Sequence, residues 1–189
     1  RYHNIHPIPT IEEYRRDMTS NYMDFYYHYG LPQRVSQKDV NYLRSKYYSK
    51  HFSEAKLRAD LHKTVFGLKS RNIQVAIVSA EAEAILRDRL GRAGLLDLFN
   101  PVKCDCMDKK IALTETVKEL GINPAQVIYI DDSVDGNKAA LDSGLIPVGF
   151  SGGMHSVDRL RQYAKYIINE LSEVISIVDC FDEIEGFQC

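Results

Sequence analysis

Three short aliphatic runs, each followed by a polar loop and then a helical stretch, decide the fold class of this 189-residue chain. They are Ile73–Val78 (IQVAIV), Gln126–Ile130 (QVIYI) and Ile146–Phe150 (IPVGF). Runs this short and this apolar suit strands buried on both faces. The stretches between them carry helix signals: Ala80–Arg92 ending near Gly94, Asp108–Leu120 closed by Gly121, and Asn137–Ser143 closed by Gly144. Pro101–Cys104 reads as a further short strand, Ser156–Ala164 as a helix, and Tyr166–Ile168 as one more segment. Strands alternating with helices, joined by right-handed crossovers, predict an α/β fold with a doubly wound parallel sheet.

The first third has a different pattern. Thr10 and Glu13 form a capping-box pair, which predicts a helix from there to about Tyr29, stopped by Gly30 and Pro32. Ser36 opens a second helix to about Lys50, and a third spans about Glu54–Lys69 with Leu57, Leu61, Val65 and Leu68 as its apolar stripe. Nine of the twelve tyrosines fall within the first 48 residues, which marks a compositional boundary near residues 50–60. The predicted division is a small N-terminal helical cap (1–58), an α/β core (59–178) and a C-terminal tail (179–189).

Charge and cysteine usage exclude several function classes. With 24 basic and 26 acidic residues the net charge is −2, without the basic excess of a nucleic-acid binder. No apolar run approaches the roughly 18 residues of a membrane span, and residues 1–9 (RYHNIHPIP) lack a signal-peptide pattern. Cys104, Cys106, Cys180 and Cys189 form neither a disulfide framework nor a zinc-ligand spacing. The expectation is a cytoplasmic (intracellular) protein with reduced thiols.

In doubly wound sheets, ligands bind at the carboxyl ends of the strands. Ser79-Ala80 follows the first run, Asp131-Asp132-Ser133 the second and Ser151-Gly152-Gly153 the third, while Lys109-Lys110 opens the helix between the first two. A phosphate takes hydroxyl, amide and ammonium donors, and Mg²⁺ takes hard carboxylate oxygens. Singly, each piece has a plainer reading: Ser79 as a helix cap, the lysines as surface charges, Asp-Asp-Ser as a turn. Their order and spacing favour one phosphate-plus-magnesium site.

On these residues the chain resembles the haloacid dehalogenase-like hydrolases, in their phosphoglycolate-phosphatase-like branch, over about residues 10–178. IQVAIVSA resembles the family's second motif, DKKIALTETVKEL the third and VIYIDDSVDGNKAALDSG the fourth. LGRAGLLDLFNPV and IPVGFSGGMHS look like family connecting segments, and TIEEYRRDMTSNYMDFYYHYGLP like a first cap helix. The resemblance implies that Ser79, Ala80 and Lys109 hold the phosphoryl group, with Lys110 the alternate lysine. It implies Asp131 and Asp132 as acidic residues around Mg²⁺. The family often has Asp or Asn four residues after Asp132. Gly136 stands there, with Asp135 one place earlier as the substitute metal ligand.

The family's first motif, a strand ending in D-x-D-x-[TV] whose first Asp is the nucleophile, does not occur in these 189 residues. The nearest mimic is IVDCFDEIE, with Asp179 and Asp182 three apart instead of two. Three expectations follow. The first is Mg²⁺-dependent hydrolysis of a small phosphorylated metabolite, with the nucleophile strand supplied from upstream of Arg1 or by another chain. The second is a catalytically inactive relative that binds a protein partner through its Tyr-rich cap. The third is a catalyst that recruits Asp179. Arg15, Tyr22 and Tyr26 are candidates to face the site, and His155 reads as a polar surface residue, with a place near the pocket rim as the alternative.

Overall fold

A computed structural model describes residues 9–19, 21–51 and 56–185. Helices α1 (Ile11–Asp17), α2 (Tyr22–His28) and α3 (Gln37–His51) come first, then α4 (Leu61–Lys69). The alternating part is β1 (Ile77–Val78), α5 (Glu83–Arg92), β2 (Val102–Lys103), α6 (Lys109–Leu120), β3 (Ile128–Asp131), α7 (Val134–Asp142) and β4 (Ile146–Phe150). It closes with α8 (Val157–Leu160), β5 (Tyr166–Ile168) and α9 (Val174–Glu185). Every strand pair is parallel, as the α/β expectation requires.

The sheet is in two pieces. β1 pairs with β2 alone, while β3, β4 and β5 form a second sheet in that order. Helix α6 joins the pieces. It starts at the carboxyl end of β1, where the Lys109 ammonium donates to the Val78 carbonyl at 2.7 Å, and its twelve residues carry the chain about 18 Å to the opposite end. β3 returns from there, so β1 and β3 run in the same direction with open edges facing each other. Ile73, Val75, Ile128 and Ile130 pack on a core cluster around Leu68, Val148 and Val174, on the side of α4 and α9. Val78, Val127 and Tyr129 pack on the opposite side, around Leu113, Val117 and Ala140 of α6 and α7.

Between these edges lies an apolar slot of about 660 Å³, reached by Val65, Val78, Val117, Ile128, Ile130 and Val178. The slot is partly open to solvent. The slot also accounts for a difference from sequence expectation. Ile73–Val78 reads as a full strand, yet only Ile77–Val78 meets strand geometry, because the run has a partner on one side only. All four residues of β3 are half-buried, whereas the centre of β4 is fully buried.

The helical boundaries also shift. The single helix expected to reach Tyr29 is broken into α1 and α2. Asn21 caps α2 by accepting the Met23 N–H, and the Met18 carbonyl is drawn away by core side chains. The helix expected from Glu54 begins at Leu61; residues 52–55 lie outside those described, and 56–58 are not helical. Residues 179–185, expected as tail, continue α9, and Asp179 is paired with Arg71 at 2.7 Å. Asp179 thus lies on a helix and not at a strand end, which overturns its recruitment as a nucleophile. Met23, Leu31, Val35 and Val40 give α2 and α3 a core cluster of their own.

Leu160 is fully buried in the main core. Leu160→Ala should lower stability by about 2–5 kcal/mol in urea unfolding, whereas Ile111→Ala, at a residue 57% exposed, should stay within about 0.5 kcal/mol.

Candidate active site

Ser79 is held by β2 through both its backbone groups: its N–H donates to the Lys103 carbonyl, and its carbonyl accepts from the Cys106 N–H, each at 2.9 Å. Its hydroxyl accepts the Glu81 N–H at 3.0 Å. That leaves the hydroxyl hydrogen free for a ligand oxygen. Ala80 follows and is exposed. Lys109 is the first residue of α6, behind the cap Asp108, which accepts from the Ile111 N–H. Its ammonium spends one hydrogen on Val78 and keeps two. Lys110 is exposed, whereas Lys109 is half-buried.

The three carboxylates after β3 have different surroundings. Asp131 is engaged on both oxygens: Oδ1 accepts from the Ser133 N–H (2.8 Å) and hydroxyl (2.6 Å), and Oδ2 from the Tyr129 hydroxyl (2.8 Å). Burial, reinforced by the Asp131 charge, pushes the Tyr129 phenol well above its ordinary range, so it stays a donor. Asp132 accepts only the Met154 N–H, at 2.8 Å on Oδ2, and keeps Oδ1 for another partner. Asp135 is exposed in the first turn of α7, where a negative charge is favourable.

Gly136, read in the sequence as a departure, has a steric reason: a Cβ there would stand 2.2 Å from the Asp131 carboxyl carbon. Gly153 is constrained in the same way, with a Cβ position 2.0 Å from Asp132 Oδ2.

Among the described residues no group of three His, Cys, Asp or Glu side chains is arranged to hold a metal ion. Mg²⁺, however, is commonly held by one or two carboxylates, with waters and phosphate oxygens completing the shell. Oδ1 of Asp132 and the carboxylate of Asp135 suit that mode. Asp131, named with them from sequence, is occupied by Tyr129 and Ser133.

Sequence reading missed what organises this loop. His155 is only 1% exposed, not a surface residue. Its Nδ1 accepts the Val134 N–H at 2.8 Å, and its Nε2 therefore carries the hydrogen and donates to the Met18 carbonyl at 3.1 Å. Its own N–H donates to the Asp132 carbonyl. Asn137, fully buried, donates from Nδ2 to the carbonyls of Asp131 (2.9 Å) and Ser133 (2.7 Å). The one available signal was the Ser133–Asn137 spacing of four, which puts both at one end of α7.

Arg15 does not offer its guanidinium to the site; it donates to the Gly152 and Gly153 carbonyls. The Tyr22 hydroxyl is turned to Asn41 within the cap.

Residues 2–149 match the family profile for haloacid dehalogenase-like hydrolases. Over 90 residues the chain is 32% identical to the phosphoglycolate phosphatase of Synechococcus elongatus, a stretch covering 47% of this chain and 42% of that relative. The chain thus spans less than half the length of the curated relative it matches. Among solved structures it resembles a conserved haloacid dehalogenase-like protein of unknown function from Agrobacterium tumefaciens, with a TM-score of 0.73 and 19% identity over 92% of this chain and 84% of that one. It also resembles a predicted phosphatase from Clostridium acetobutylicum, with a TM-score of 0.68 and 18% identity over 82% of this chain and 75% of that one. At these identities the likeness concerns the fold.

Burial, with Arg159 beside it, depresses His155 below its ordinary value near 6.5. The unfolded chain then binds this proton more readily, so stability should be fully present above about pH 6.5 and decline as pH falls from there toward the folded value. Urea midpoints between pH 7.5 and 5.5 should show this decline, and His155→Gln should flatten it.

Proposed function

The chain belongs to the haloacid dehalogenase-like hydrolases, and on that footing we propose that it carries the phosphate- and magnesium-binding half of a phosphomonoester hydrolase. The observation that carries this reading is the 2.7 Å bond from Lys109 Nζ to the Val78 carbonyl. It holds an ammonium with two free hydrogens at the end of the strand that presents Ser79. A phosphoryl group there meets the Ser79 hydroxyl, the Ala80 amide and Lys109, which are donors of the strong, charge-assisted kind. Asp132 Oδ1 and Asp135 would hold Mg²⁺, whose chemistry is to neutralise charge on the phosphate oxygens.

The covalent step requires a carboxylate nucleophile from a strand that these 189 residues do not contain, since no D-x-D-x-[TV] sequence occurs in them. The substrate class that fits is a small phosphorylated metabolite, with cap helices α2 and α3 available to shape selectivity. A second reading is an inactive relative that binds a protein partner through its cap. Its supporting observation is the exposure of Tyr42 (66%) and Tyr47 (63%) on α3.

Titration of inorganic phosphate followed by calorimetry, with and without Mg²⁺, tests the first reading. Lys109→Met should weaken phosphate binding roughly 10- to 100-fold, and Asp132→Asn should remove the enhancement by Mg²⁺. Circular dichroism would check that both variants fold. Phosphate binding unchanged in folded Lys109→Met would sink the reading and leave the cap-mediated one.

A further inference from the structure

Asn137 is fully buried, yet among the described residues its Oδ1 meets no hydrogen-bond donor. The core nearby is apolar: Ala140 on the same helix and Val148 on β4, against which α7 packs, are also fully buried. A buried acceptor left without a donor costs roughly 1–3 kcal/mol, and a leucine of the same branching would carry no such cost. An asparagine here needs a reason, and it lies on the other arm of the amide. Side chains lean toward the N-terminus of their helix, so this one, fourth in α7, reaches the loop before it. Nδ2 donates to the carbonyls of Asp131 (2.9 Å) and Ser133 (2.7 Å). Both amide hydrogens are thus spent on the two residues that flank Asp132. The Asp132 carbonyl accepts the His155 N–H at 3.1 Å, and its Oδ2 accepts the Met154 N–H at 2.8 Å. The main chain on both sides of Asp132, its own carbonyl and one carboxylate oxygen are therefore fixed, and Oδ1 is the atom that remains. The residue type is specific to this task. Serine has one hydrogen to give, and an ionised aspartate has none.

We infer that Asn137 is a positioning residue for the cation site, holding the loop so that Asp132 presents Oδ1 to a divalent ion. It touches neither ion nor phosphate and acts through the Asp131 and Ser133 carbonyls. That the ion is Mg²⁺ beside a phosphoryl group rests on the phosphatase reading. The unsatisfied Oδ1 of Asn137 is then the stability given up for a fixed loop. Partners that orient a metal ligand from behind are typically worth 10- to 100-fold in metal affinity. A purely structural asparagine behaves differently: its loss lowers stability and leaves the affinity of the folded protein for the ion unchanged.

The test titrates the 189-residue chain with Mn²⁺ in place of Mg²⁺ and follows the free ion by electron paramagnetic resonance. Asn137→Leu, which keeps the branching and removes both donors, should weaken Mn²⁺ binding roughly 10- to 100-fold. Binding of inorganic phosphate without metal, followed by calorimetry, should stay at the wild-type value, because Ser79 and Lys109 are placed by β2 and α6. Leu160→Ala, a core truncation away from the loop, should lower stability and leave Mn²⁺ affinity unchanged. Circular dichroism checks folding. Should Asn137→Leu be unfolded, Asn137→Ser, with one donor left, takes its place and should lose affinity in the same direction. Wild-type Mn²⁺ affinity in a folded Asn137 variant, with binding abolished by Asp132→Asn, would overturn the inference and leave the phosphatase reading standing. Equal weakening by Leu160→Ala would also overturn it, because lost stability alone would then explain the effect. A wild-type chain that binds phosphate but no Mn²⁺ would sink the magnesium part of the phosphatase reading, and the inference with it.

Discussion

Backbone amides and carbonyls inside a parallel sheet need partners on both sides, and the row between β1 and β3 has them on one. Much else in the structure depends on this. The β1 run keeps only two residues of ladder despite a six-residue aliphatic sequence. β3 has the composition of a central strand and the half-burial of an edge. What joins the two half-sheets is not a ladder but the layer of helices: α6 reaches back to Val78 through Lys109 and packs on α7 from the other sheet. A single side-chain bond at the rim therefore helps to position β1, and it also fixes the Lys109 ammonium at the end of that strand.

The loop between β4 and α8 fastens the rim to the cap. Arg15 donates to Gly152 and Gly153, the Ser156 N–H donates to the Arg15 carbonyl, and Arg159 donates to the carbonyls of Arg16 and Met18. His155 sits at the centre, bonded to Met18 on one side and to the Val134 amide on the other. These bonds take up carbonyls near the end of α1 that would otherwise continue the helix. The break between α1 and α2 is thus a consequence of docking onto the core. α1 is thus fastened to the core, while α2–α3 has its own apolar cluster.

The parts legible in the sequence are those governed by short-range rules. The capping box of Thr10 and Glu13, the Asp108 cap and the αL glycine Gly121 all stand where the residue types put them. The order Ser79, Lys109, Asp131-Asp132 could be read because a parallel sheet brings strand ends to one rim whatever the details of packing. The illegible parts depend on distant contacts. Nothing local in GGMHS says that His155 is buried, since its partners Val134 and Met18 lie 21 and 137 residues away. Nor could a list of acidic residues separate Asp131, held by Tyr129 and Ser133, from Asp132, which keeps an oxygen free.

That separation gives adjacent carboxylates different surroundings. A carboxylate with both oxygens satisfied by a buried phenol and a turn hydroxyl is already solvated by protein, and drawing it onto a cation would leave those donors unpaired. The bonds of Asp131 anchor the turn, and a side chain at Gly136 would meet that carboxylate. Asp132 is fixed by one amide and closely covered by Gly153, which sets its orientation without using its second oxygen. With Asp135 one turn into α7, the loop presents at most two free carboxylates. Two carboxylates can hold a hydrated divalent cation and leave its remaining positions to phosphate and water, which is how Mg²⁺ is ordinarily bound.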